Sequence, residues 1–80
     1  MPLYEVIISL KEGVVDPEGE NTRKALQMLG FKGVRYVASS KRFLIDIENG
    51  KADAEIEEMC RKLLANPAIQ NYSYRRLEGH

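Results

Sequence analysis

Between Leu3 and Lys11 apolar residues recur at every second position, with Tyr4, Val6, Ile8 and Leu10 on one face of an extended chain. That period of two marks a strand with a buried side. The opposite face carries Leu3 and Ile7 beside Glu5 and Ser9, which is too apolar for plain solvent surface, so a second subunit is expected to cover it. A chain of 80 residues has room for one small domain, read here as residues 1–80, whose thin core also favours self-association.

The rest of the chain supplies partners for that strand. Asp16 followed by Pro17 reads as an N-cap and a first helical residue, because proline lacks the N–H that would go unpaired there. The helix they open carries its apolar stripe on Thr22, Ala25, Leu26 and Leu29, with Met28 at the margin and Gly30 closing it. Gly19 stands in its first turn, where glycine is a poor helix former. Val34 to Ser39 and Arg42 to Glu48 are strand-like runs joined at Ser39, Ser40 and Lys41, which is hairpin spacing. In the second run Phe43, Ile45 and Ile47 face one way and Arg42, Leu44, Asp46 and Glu48 the other.

After a break at Asn49 and Gly50, Asp53 reads as the cap of a second helix, in which Ile56, Met59, Cys60, Leu63 and Leu64 form the apolar stripe. Glu57 with Arg61 and Glu58 with Lys62 stand four apart, as ion pairs on a helix do. Asn66 and Pro67 end the helix, a last strand runs from Ile69 or Asn71 to Leu77, and residues 78–80 are a frayed tail. The order β-α-β-β-α-β predicts an α+β two-layer sandwich of ferredoxin-like type, with a four-stranded antiparallel sheet and two helices on one face. Leu3, Ile7, Val37 and Leu44 are candidates to line the helix-free face and form a dimer there.

Chemistry is harder to find. Twelve basic residues cancel twelve acidic ones, which disfavours nucleic acid and membrane surfaces as partners. The single histidine is His80 and the single cysteine Cys60, so no metal-ligand spacing, internal disulfide or nucleophile-base pair can be assembled, and a reducing cytoplasmic location fits. Cys60 lies on an apolar stripe, where a thiol is usually an inert core residue. The acidic group Glu55, Glu57 and Glu58 is better read as a solvated helix start than as a cation site. No signal peptide or membrane anchor is seen. Tyr72, Tyr74, Arg75 and Arg76 on the last strand have the composition of an interaction hot spot, although alternation equally places both tyrosines under the helices and leaves the arginines solvated. Lys41 and Arg42 read as solubilising charges at the hairpin tip.

Two blocks then point to a family. The run Leu10-Lys11-Glu12-Gly13-Val14-Val15-Asp16-Pro17-Glu18-Gly19, followed by Ala25-Leu26 and Leu29-Gly30, resembles the PurS family, the small subunit of phosphoribosylformylglycinamidine synthase. So does Glu58-Met59-Cys60-Arg61-Lys62-Leu63-Leu64-Ala65-Asn66-Pro67, with Ile69 and Tyr72. The chain departs from the family pattern at Ala38, Ser39 and Ser40, where members often have a glycine before the lysine.

The resemblance implies purine biosynthesis: ATP- and glutamine-dependent conversion of phosphoribosylformylglycinamide to its amidine. It implies a non-catalytic role for this chain, with no cofactor of its own. A glutaminase subunit of PurQ type would release ammonia, and a large synthetase subunit of PurL type would hold ATP and magnesium. A dimer or tetramer of the small subunit would bridge them and assist ammonia transfer. The family's Asp-Pro-x-Gly signature falls on Asp16, Pro17 and Gly19, which join Tyr72, Tyr74, Arg75 and Arg76 as partner-interface candidates. A side chain at Gly19 would either block the approach of a partner or collide locally. A metabolite-binding regulatory module of the same fold class is the alternative reading. An acylphosphatase-like enzyme is disfavoured, because residues 12–16 contain no arginine to hold a phosphate.

Overall fold

The structure, a computed structural model, describes residues 3–48 and 52–77. Strand β1 (Leu3–Leu10) is the centre of an antiparallel sheet, flanked by β2 (Ser40–Asp46) and β3 (Gln70–Leu77) in the order β2-β1-β3. Helix α1 spans Pro17–Met28 and α2 Ala52–Met59, which a π-helical turn, Cys60–Leu64, continues. The register pairs Tyr4 with Ile45 and Arg76, Val6 with Phe43 and Tyr74, and Ile8 with Lys41 and Tyr72. Those residues share the face that α2 covers.

The core forms where β1 meets α2. Tyr4, Val6 and Ile8 are buried with Ile47, Ala52, Ile56, Cys60 and Ala65, and Phe43, Ile45, Met59, Leu64, Tyr72 and Tyr74 pack around them. Val6, Ile56 and Cys60 are fully enclosed, and burial of each of the two aliphatic side chains stabilises the fold by about 1.5–3 kcal/mol. Tyrosine hydroxyls tie the layers together: Tyr4 donates to Asp53, and Tyr72 and Tyr74 both donate to Glu57, the latter at 3.0 Å. The rings of Tyr4 and Tyr74 lie 6.5 Å apart and tilted, a favourable aromatic geometry.

Four expectations are corrected. The sheet has three strands among the described residues, because Val34–Ser39 is irregular. Polar groups of that segment bond to α1 and its cap rather than to a strand: Gln27 Nε2 donates to the Val34 carbonyl at 2.9 Å, and the Ser39 N–H to Asp16 at 2.7 Å. Ser40 and Lys41, expected in a hairpin turn, already belong to β2 opposite Ser9 and Ile8.

Second, only one helix covers the sheet. None of α1's apolar residues joins the core; Met28 is 87% and Leu29 75% exposed. Third, Asp53 lies inside α2 and receives the Tyr4 hydroxyl instead of capping the helix. Fourth, Leu63 leaves the buried stripe and is 83% exposed. The Ala65 N–H bonds the Cys60 carbonyl five residues back at 3.0 Å, and that wider turn delays each side chain around the axis, so of the two leucines expected inside only Leu64 packs against the core. The break at Asn49 and Gly50 and the tail at 78–80 lie outside the described residues.

The chain is far from spherical. Its radius of gyration is 16.1 Å and its extents are 50 × 31 × 14 Å, against about 12 Å for a compact chain of this length. Helix α1 and the segment 31–39 form an outlying lobe beside the sheet-and-α2 body.

Candidate functional site

Two surfaces have the character of interfaces, and the first is the open face of the sheet. Leu3, Glu5, Ile7 and Ser9 of β1 lie between Asp46, Leu44, Arg42 and Ser40 of β2 and Leu77, Arg75, Ser73 and Asn71 of β3. At its centre Glu5, whose side chain is 13% exposed, accepts from Arg42 Nε at 2.5 Å and from Arg75 Nε at 2.8 Å. The hydrogen bonds from Arg42 and then Arg75 hold the Glu5 carboxyl below the usual range. Each arginine engages through Nε and stays more than half exposed, at 53% for Arg42 and 71% for Arg75, on the face that also carries Leu3, Ile7 and Leu44.

The second surface is the lobe. Asp16 caps α1 by accepting from the Gly19 N–H at 2.9 Å, and also accepts from Ser39 through its N–H at 2.7 Å and its hydroxyl at 2.9 Å. These bonds, Gly19's first, lower the Asp16 pKa. Gly19 is buried beneath the returning chain: a Cβ there would sit 2.2 Å from the Val37 carbonyl and 2.7 Å from Asp16 Oδ2. The glycine therefore answers a local contact. A chain of bonds from Glu20 to Arg23, Arg23 to Gln27 at 3.1 Å, and Gln27 to Val34 fixes α1 against the same segment. Tyr36, 79% exposed, and Phe31 lie on its outside.

The expected contact residues are thus dispersed. Asp16, Pro17 and Gly19 build the lobe's clamp, with Pro17 at the first helical position and exposed. Tyr72 and Tyr74 are half-buried under α2, Arg75 is on the open face, and Arg76 lies exposed at the end of the covered face. Leu3, Ile7 and Leu44 share the open face, whereas Val37 sits off the sheet against Gly19, which corrects its placement there. Glu5 and Arg42 were overlooked as a site; an acidic residue in the middle of an apolar strand is itself the signal that a cation must meet it.

Among the described residues no group of three or more His, Cys, Asp and Glu side chains is placed to hold a metal ion. Cys60 is buried, and desolvation raises its pKa away from the reactive thiolate. Among the described residues no helix is long and apolar enough to cross a membrane. The expected helical ion pairs are present, Glu57–Arg61 at 3.8 Å and Glu58–Lys62 at 3.4 Å.

The described residues form a small α+β unit, a three-stranded antiparallel sheet with two helices. The family model described as PurS, phosphoribosylformylglycinamidine (FGAM) synthase, matches residues 3–78. The chain belongs to the PurS family, and its function is that of a non-catalytic subunit of this ligase in purine biosynthesis. It is 61% identical over 74 residues to the PurS subunit of Archaeoglobus fulgidus, covering 89% of this chain and 92% of that one. The crystal structure of Methanocaldococcus jannaschii PurS superposes with a TM-score of 0.87 at 41% identity, covering 100% of both chains. A chain in the PurLQS structure from Thermotoga maritima aligns with a TM-score of 0.59 at 30% identity, covering 96% of this chain and 100% of that one.

Proposed function

We propose that this chain is the bridging subunit of its synthase, joining a glutaminase of PurQ type to a large synthetase of PurL type and assisting the passage of ammonia between them. It acts as a homodimer or as a tetramer built from two such dimers, in the cytoplasm, and ATP and magnesium are held by the large subunit. The observation that carries this reading is the likeness over 96% of the chain to a component of a PurLQS structure. The open sheet face supports it, because paired arginines set among apolar side chains suit a protein partner better than bulk water.

The test is synthase turnover by purified large subunit and glutaminase, with and without this chain, driven either by glutamine or by an ammonium salt. Turnover with glutamine is expected to require the chain, while turnover with ammonium largely does not. Equal rates with and without it in both assays would overturn the bridging role.

A further inference from the structure

The core leaves one end of the covered sheet face unused. Leu10 lies on the same side of β1 as Ile8, yet it stands outside the core cluster. Helix α2 holds Tyr72, opposite Ile8, through Glu57, and beyond that point the first turn of α1 and the start of β2 wall a cleft of about 330 Å³ over Ile8 and Leu10. Small-molecule sites begin at about this volume.

The polar lining narrows the chemistry. Lys41 stands opposite Ile8 on β2 and Gln70 opposite Leu10 on β3, so both share the floor's side of the sheet, and Glu18 enters from α1. Among the described residues neither the Lys41 ammonium nor the Glu18 carboxylate has a partner. Gln70 Oε1 accepts from the Asn66 N–H at 2.7 Å, which leaves its amide N–H groups as donors. Asp16 also lines the cleft, with its oxygens already accepting from Gly19 and Ser39.

That set excludes most small ligands. Asp16 and Glu18 together outweigh Lys41, which repels phosphates and nucleotides. One open carboxylate is poor provision for a divalent cation, and a purely apolar ligand would leave both open charges unmatched. A molecule that carries its own cation and anion on a short stem satisfies every group.

We propose that this cleft binds a free α-amino acid of the glutamine type. Its ammonium pairs with Glu18 and its carboxylate with Lys41, its methylenes lie on Ile8 and Leu10, and its side-chain carbonyl accepts from Gln70. The site is separate from the bridging role, which the synthase assay decides by itself.

The test titrates L-glutamine into the isotope-labelled chain and follows backbone amide shifts. Saturable shifts are expected at residues 8–10, 17–18, 40–41 and 70. Lys41→Met and Glu18→Gln should each weaken binding about tenfold or more, since each removes a charge-assisted hydrogen bond; both side chains are exposed and unpaired, so the variants keep the fold. Glutamine capped at its amino and carboxyl groups should not bind, and leucine should bind more weakly than glutamine. No shifts up to the solubility of glutamine, shifts only outside the cleft, or equal binding of the capped molecule would overturn the site. Equal binding of leucine would overturn the role of Gln70 and the choice of ligand with it.

Discussion

The body and the lobe each contain an amphipathic helix, yet they hold together by different means. In the body Val6, Ile56 and Cys60 are enclosed and the tyrosine hydroxyls are satisfied by carboxylates of α2. In the lobe the large apolar side chains point outward, and cohesion comes from Asp16, Gln27 and the tight seat of Gly19. An amphipathic stripe is thus a demand for cover and leaves open which chain supplies it.

The sharpest break of the comparison is in the core. Ile56→Ala should lower stability by about 2–5 kcal/mol, since the cavity forms where β1 and α2 meet. Met28→Ala, on the exposed side of α1, should change the stability of dilute, monomeric protein by no more than about 0.5 kcal/mol. Urea denaturation at low concentration checks both. Repeating it at high concentration sharpens the contrast, because a cost for Met28→Ala that appears only there locates the residue in an interface.

The lobe's own weak point is Gly19. Gly19→Ala places a methyl group 2.2 Å from a backbone oxygen, so segment 34–39 must move, at about 1–3 kcal/mol. Hydrogen exchange should accelerate at residues 34–39 and stay slow in β1. Fast exchange spreading into the sheet would mean that the two regions are not separate.

What the sequence made legible follows the same division. Strand alternation and the stripe through Ile56 and Cys60 were readable because their partners lie in this chain and the periodicity states which face they need. The cap at Asp16 and Pro17 was readable because capping is local. Val34–Ser39 misled because its apolar pattern is that of a strand while its bonds go to Asp16 and Gln27, a tertiary choice that no local propensity encodes. Leu63 misled because the helical template assumes 3.6 residues per turn, and a single π-helical turn shifts every later position. The Arg42–Glu5–Arg75 group joins residues 37 and 70 positions apart, visible only once the register is known.

Relocation of surface charge offers a smaller test. Replacing Glu5 by Gln leaves Arg42 and Arg75 beside a neutral acceptor. Fold stability should change little, since both arginines are largely solvated, whereas glutamine-dependent turnover of the reconstituted synthase should fall if the open face meets a partner subunit. Unchanged turnover would move that contact to another surface.

The smallest effect distinguishes the two regions by pH. Hydrogen bonds to carboxylates raise the pKa of Tyr4, Tyr72 and Tyr74. A folded state that holds protons more tightly than the unfolded one is stabilised at pH values below the ordinary tyrosine pKa of about 10. That contribution fades as pH rises through the raised values. Asp16 behaves oppositely: its lowered pKa gives the lobe stability above about pH 4, lost as pH falls through the depressed value. Glu57, also lowered, by Tyr72 and then Tyr74, adds an acid-sensitive part to the body. Acid therefore loosens both regions, and only the alkaline limb separates them. Above about pH 10 the sheet and α2 should part while the Asp16 clamp stays ionised and bonded. Tyrosinate absorbance followed together with a fluorescent probe at position 36 should show the body transition first. Tyr72→Phe removes one titrating hydroxyl and should flatten that limb without altering the acid response of the lobe; a lobe that opened in step with the tyrosines would show that one cooperative unit spans them.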